Sequence, residues 1–187
     1  VSTPNKYHFK YVKYFLEKKI NVFCEKPLTE SLFLTKKLIR LSKINKTKLY
    51  ISDIELFKNK KIKINKENNI NRGKKCNYSF AKTLYALAYH DFYLLNKYIS
   101  KKKIKIEILK KNKNFYQFKI NTKKSIFYFN YNLRKNSKHK INNTVFDTKK
   151  NYISIMFKKV FSKKVNFNNN NKLALETSIL IDKILKI

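Results

Sequence analysis

Glycine is nearly missing from this chain: one residue, Gly73, in 187. A single glycine leaves no room for a G-x-G-x-x-G loop, whose glycines let the backbone approach a pyrophosphate. Proline is almost as scarce, at Pro4 and Pro27, and there are four alanines and three arginines. These are the amino acids of G- and C-rich codons. The abundant Lys, Asn, Ile, Tyr and Phe belong to A- and T-rich ones. Proline fixes φ and removes a donor, so two that persist inside short motifs are read as held by backbone geometry. Cys24 and Cys76 are too few and too far apart for a zinc site or a disulfide framework. No metal is expected, and reduced thiols suit a cytoplasmic protein. No apolar run reaches the roughly 18 residues of a membrane span, so no membrane partner is expected.

Acidic residues are the last scarcity, 11 against 45 basic ones, for a formal charge of +34. Such a balance ordinarily points to nucleic acid or an anionic surface. Here all the basic residues but Arg40, Arg72 and Arg134 are lysines, spread along the whole chain rather than gathered in one arm. Phosphate and base readers lean on the planar arginine fork. Codon drift explains an even lysine excess without a ligand, so only salt-sensitive, sequence-blind binding to polyanions is expected. A basic nucleic-acid-binding protein stands as the alternative from another functional class.

What is present has order. Asn5 reads as a helix N-cap. Tyr7, Tyr11, Val12, Phe15 and Leu16 then recur at helical spacing. Ile20, Val22 and Phe23 read as a short buried strand ending at Cys24–Pro27. Thr29 opens a second helix with Leu32, Leu34, Leu38, Ile39 and Leu41 apolar, and residues 49–57 read as a further strand. Strand–helix alternation with short connections implies parallel, right-handed βαβ units. Residues 58–78 read as a boundary loop or loose crossover, and 79–99 as one long apolar helix. Segments 103–109, 115–121 and 125–133 read as an antiparallel meander. Residues 134–150 are weakly patterned, with His139 on the surface. Residues 151–161 read as a strand or strand pair, and Asn168–Asn171 as a loop. Leu173–Ile184 closes the chain as a helix.

Two motifs carry a resemblance. Thr3-Pro4-Asn5-Lys6-Tyr7-His8 and Glu25-Lys26-Pro27-Leu28-Thr29 are separated by one helix and one strand. At that spacing residues 1–57 resemble the second half of the Rossmann domain of the glucose–fructose oxidoreductase / inositol dehydrogenase (Gfo/Idh/MocA) family. Residues 84–95, with His90 and Asp91, resemble that family's D-x-G-x-H helix, and Ala174–Ser178 its C-terminal helix. The resemblance implies an α/β half-Rossmann domain over 1–58. A second α+β domain with a mostly antiparallel open-faced sheet is implied over 59–187. It implies NAD or NADP as cofactor, a sugar, cyclitol or nucleotide sugar as substrate, and a possible homo-oligomer. Carried over by position, Lys26 and His90 are the catalytic candidates. Thr3, Pro4, Asn5, His8, Glu25, Lys26 and Pro27 are the cofactor-binding candidates.

The chemistry suits those residue types. Alcohol oxidation removes a proton as hydride leaves, which a histidine titrating near neutrality can accept. A lysine beside it steadies the developing alkoxide. The sequence departs from the family at Ala86 and Ala88, where the motif carries Asp and Gly. Position 86 shares a helix face with His90, whereas Asp91 points about 100° away. The chain opens on Val1, mid-fold, and lacks the glycine loop. It is therefore expected to be the C-terminal part of a longer oxidoreductase, or else a non-catalytic relic of one.

Overall fold

A computed structural model describes residues 1–58, 61–99, 103–146 and 151–187. Helix α1 (Asn5–Glu17) leads to strand β1 (Val22–Cys24), helix α2 (Leu32–Ile44) and strand β2 (Leu49–Ile51). β1 and β2 pair in parallel, Val22 opposite Leu49 and Cys24 opposite Ile51. Val1 lies along the other edge of β1: its amino group donates to the Phe23 carbonyl (2.6 Å), and Glu25 N–H donates to Val1 O (2.9 Å). The turn at Thr3–Pro4 and the Cys24–Pro27 segment thus leave the same end of a parallel sheet. That end is where α/β sheets present their loops to ligands.

Helix starts follow hydrogen-bonding side chains, though not always those expected. The second helix is capped by Ser31, whose oxygen accepts from Leu34 N–H, and not by Thr29. Thr29 instead bonds the Ser31 carbonyl and the Thr35 hydroxyl. The first helix begins at Asn5 behind Pro4, without a side-chain cap. β2 stops at Ile51, short of the nine-residue strand expected over 49–57. Asp53 ends it by accepting from Glu55 N–H at 2.9 Å, which nucleates a 3₁₀ turn over Ile54–Phe57. A side chain that bonds its own backbone two residues on competes with the sheet ladder.

Residues 58–78 are not merely a crossover. They contain β3 (Glu67–Gly73), which sits inside a six-stranded sheet. The other strands are β4 (Lys105–Asn112), β5 (Phe115–Asn121), β6 (Ile126–Asn132), β7 (Ser137–Ile141) and β8 (Thr144–Phe146). Their order is β4-β5-β6-β3-β7-β8, antiparallel throughout except for the β3–β6 pair. β3 hides its character because asparagines fill it. Buried Asn68 is satisfied by Asn65 N–H and by the carbonyls of Asn65 and Ile126. β7 and β8 escape pattern reading because β7 buries only His139 and Ile141.

β5 and β6 alternate cleanly, and their inner residues face the helical stretch α3 (Phe80–Thr83), a π turn (Leu84–Ala88) and α4 (Tyr89–Ile99). Phe118 and Phe129 stack at 4.9 Å, and Phe92 of α4 meets Phe129 edge-on at 5.2 Å. The last expected strand is a helix, α5 (Tyr152–Phe161), which buries Met156 and Val160 one turn apart. A short apolar run does not separate the two states by periodicity. The asparagine run is not a loop either: Asn166 caps α6 (Phe167–Leu185), which contains it. Asn170 is buried there. Its amide accepts from Ile51 N–H (2.8 Å) and donates to Ile51 O (2.9 Å) and the Tyr93 hydroxyl (2.7 Å). One side chain thereby closes the outer edge of β2 and ties the parallel pair to α4.

The scarcity of glycine shows in the backbone. Lys19, Lys46 and Lys163, just past α1, α2 and α5, adopt φ of 57°, 52° and 58°. Glycine is the usual residue at such helix ends, because a Cβ in the left-handed region is crowded. Lys46→Gly is expected to raise the unfolding free energy by about 0.5–1 kcal/mol, read by urea denaturation. The one glycine sits where a side chain has no room. A Cβ at Gly73 would lie 2.5 Å from the Lys135 carbonyl oxygen and 2.6 Å from Ser137 Oγ.

Candidate active site

Three segments converge at the carboxyl end of the parallel pair. Lys26 follows β1, Asp53 follows β2, and His90 opens α4. Lys26 Nζ donates to the Ala86 carbonyl at 3.1 Å. That carbonyl lies within the π turn, whose wider winding frees backbone oxygens from the usual helical ladder. Burial lowers the Lys26 ammonium to about 8, the Asp53 carboxylate opposing that fall. His90 Nδ1 lies 3.4 Å from Asp53 Oδ1 and 3.3 Å from Oδ2. Asp53 is buried, and burial pushes its carboxyl up to about 7. Desolvation, aided by Lys26 and Arg72, pushes His90 well below its ordinary value, so the ring is neutral at pH 7.

His90 lines a cavity of about 820 Å³ together with Glu55, Lys58, Arg72, Lys74 and His139. The cavity floor is a buried ionic network. Glu55 Oε1 pairs with Lys58 Nζ at 2.9 Å and lies 3.6 Å from Arg72 Nη2. Arg72 Nη2 reaches Asp91 Oδ1 at 3.3 Å and donates to His139 Nδ1 at 2.7 Å. His139 Nε2 lies 2.7 Å from Asp91 Oδ1, and Tyr131 donates to Asp91 Oδ2 at 2.8 Å. His139 is therefore not a surface residue. β7 carries it inward, where it stacks on Phe146 at 4.5 Å. Among the described residues, the buried acids are Asp53, Glu55 and Asp91, all of them here.

The other positions named from the sequence fall around the strand ends. His8 is fully buried, with Nδ1 2.9 Å from the Pro27 carbonyl and Nε2 2.8 Å from the Thr3 carbonyl. It clips the Thr3–Pro4 turn to the segment carrying Lys26. Asn5 is occupied elsewhere: its amide donates to Glu30 Oε1 at 2.8 Å, and Lys82 pairs with the same oxygen. Glu25 and Lys26 are partly buried, and Pro27 is buried. Asp53, Glu55, Arg72, Asp91 and His139 were not singled out as site residues. Their signal was available: acids are rare in this chain, and Asp53 and Glu55 stand two apart directly after a buried strand.

Residues 1–52 match the model of an oxidoreductase family with an NAD-binding Rossmann fold, GFO_IDH_MocA. The match to the Gfo/Idh/MocA family covers this N-terminal segment alone. Solved structures share the fold over nearly the whole chain. UDP-N-acetylglucosamine 3-dehydrogenase GnnA from Acidithiobacillus ferrooxidans superposes with a TM-score of 0.77 at 10% identity, over 98% of this chain and 76% of its own. The WlbA (WbpB) dehydrogenase from Thermus thermophilus, in complex with NAD and α-ketoglutarate, gives 0.76 at 14% identity, over 96% and 71%. The MviM dehydrogenase from Clostridium difficile gives 0.73 at 16%, over 99% and 77%. No curated protein sequence matches the chain.

The family implies a nicotinamide dinucleotide, and the residues present fit one end of it. Lys26 sits at the strand ends beside Glu25. Thr3 Oγ1, in the neighbouring turn, is a buried hydroxyl with no hydrogen-bond partner among the described residues. These suit the nicotinamide and its ribose. The pyrophosphate end finds no glycine cradle in these residues, because Gly73 is packed inside the β3–β7 pair.

Proposed function

We propose that this chain carries the substrate-side half of an NAD(P)-dependent oxidoreductase that oxidises a hydroxyl carbon of a sugar, cyclitol or nucleotide sugar. The observation that carries the reading is the convergence of Lys26, Asp53 and His90 beside a cavity large enough for a sugar nucleotide. A bound NAD(P)⁺ would supply the hydride acceptor. His90, neutral at pH 7, accepts the hydroxyl proton. The Lys26 ammonium, held near the Ala86 carbonyl, stabilises the alkoxide as it forms. Thr3 and Glu25 hold the nicotinamide ribose, and Pro4, Asn5, His8 and Pro27 shape the two turns behind it. The boundary at residues 58 and 59 separates the cofactor side from the substrate side.

Lys74 and Lys138 at the cavity wall favour a phosphate-bearing substrate over a neutral cyclitol. The nucleotide-sugar dehydrogenase among the structural neighbours supports the same choice. A cytoplasmic location and self-association belong to this reading. The relic reading keeps one specific support, Ala86, which stands a turn before His90 where the family motif carries Asp.

The test is NAD(P)⁺ reduction, followed by nicotinamide absorbance, with UDP-sugars, sugar acids and inositols. Turnover is expected with a nucleotide sugar, and Lys26→Met should lower it about 10²–10⁴-fold. Absence of both NAD(P)H binding and turnover would overturn this reading of the chain.

A further inference from the structure

His90 lies on a helix whose own preceding turn offers it no carboxylate, because position 86 is Ala. The acid that reaches its ring comes from a different element. Asp53 stands at the end of β2, and both its oxygens lie within 3.4 Å of His90 Nδ1. The two oxygens are not equivalent. Oδ1 already accepts from Glu55 N–H at 2.9 Å, which fixes the plane of the carboxylate. Oδ2 is buried and has no hydrogen-bond partner by strict geometry, although His90 Nδ1 stands 3.3 Å away. A proton on Nδ1 would be held by this carboxylate, in hydrogen-bond geometry to Oδ1 at 3.4 Å and 3.3 Å from Oδ2. Nε2, with no hydrogen-bond partner among the described residues, then carries the lone pair, and His90 lines the cavity.

We propose that Asp53 is the positioning residue of His90. From the end of β2 it holds the imidazole as the Nδ1–H tautomer, so that Nε2 is the proton acceptor for a substrate hydroxyl. Free imidazole side chains favour the other tautomer, and the partner of one nitrogen decides the state of its neighbour. The charged groups acting on His90 come from several elements. Lys26 and Arg72 oppose a positive ring, while Glu55 and Asp91 favour one. The catalytic meaning of the pair rests on the dehydrogenase reading; the geometry of the pair does not.

The chain contains three histidines, so ¹⁵N-labelled imidazoles give a spectrum assignable with one His90→Gln variant. Long-range ¹H–¹⁵N correlation at about pH 8 reads each tautomer directly. The wild-type protein is expected to show His90 as Nδ1–H. Asp53→Asn should reverse it. The amide oxygen would keep the bond from Glu55 N–H, and the amide nitrogen, now in place of Oδ2, would donate to Nδ1 and drive the proton to Nε2. Asp53→Ala serves as the second variant, with return to the Nε2–H form. If neither variant folds, the wild-type tautomer decides alone. A wild-type Nε2–H ring, an imidazolium at that pH, or an Nδ1–H form surviving in either variant would overturn the proposal. An Nδ1–H ring in a protein that neither binds nor turns over NAD(P)(H) would sink the dehydrogenase reading and leave the pair intact.

Discussion

Replacing Asp91 by alanine is expected to lower the unfolding free energy by about 3–5 kcal/mol, enough to unfold many domains of this size. The carboxylate is wholly buried, and three partners converge on it: Arg72, His139 and the Tyr131 hydroxyl. Burial alone would raise its pKa, but Arg72, His139 and Tyr131 outweigh burial and hold it down at about 2. Removing the acid leaves Arg72 with Glu55, 3.6 Å away, as its one remaining acid among the described residues, and takes away the acceptor of the Tyr131 hydroxyl. Breaking a buried pair from one side costs far more than the pair contributes to stability when whole. Asp91→Asn keeps an acceptor for Tyr131 and should cost less. Urea denaturation of both variants near neutral pH measures the difference. Because the folded pKa is depressed, the acid's contribution is present above its unfolded pKa near 4 and is lost as pH falls toward 2.

Asp53 has the opposite sign. Its folded pKa is raised from 3.8 to about 7, chiefly by burial. Between those values the folded chain holds a proton that the unfolded chain has released. Stability should therefore fall as pH rises from about 4 to about 7, by up to about 4 kcal/mol for a group acting alone. Asp53→Asn cannot titrate. The variant is expected to match the wild type near pH 4 and to exceed it by a few kcal/mol near pH 8. Denaturation midpoints across that range provide the check, and parallel curves would show that Asp53 stays ionised in the folded state. A gain of stability on removing a charged group is what a site residue, retained at a cost to folding, should show.

Much of this architecture could be read in the sequence, for identifiable reasons. α1, α2 and the β4–β6 meander declare themselves because each buries one face, and that face sets the period of its apolar residues. β3, β7 and the start of α6 do not, because asparagine and lysine occupy them. Asparagine is ordinarily a turn residue. Asn68 and Asn170 work as internal hydrogen-bonding groups instead, a role visible only once their partners are placed. At the site, Lys26 and His90 were marked by neighbouring residues in short motifs. Asp53 follows β2, Arg72 lies in β3 and His139 in β7, and nothing local distinguishes His139 from a lysine-flanked surface histidine. Their meeting is a product of strand order: β3 lies between β6 and β7, which sets Arg72 beside both Tyr131 and His139.

Gly73 acts at a distance from its own position. Because it has no side chain, β7 can lie hard against the end of β3, and Ser137 enters the space a methyl group would take. Two residues along β7 stands His139, 2.7 Å from Arg72. The pitch of that strand works as a lever, with its fulcrum at the glycine and its load at the cavity floor. A wedge one carbon thick at the fulcrum would tilt the lever, lifting the histidine from the arginine and opening the floor beneath whatever the cavity holds. In a chain whose left-handed turns are made by lysine and asparagine, the single glycine sets a clearance between two strands.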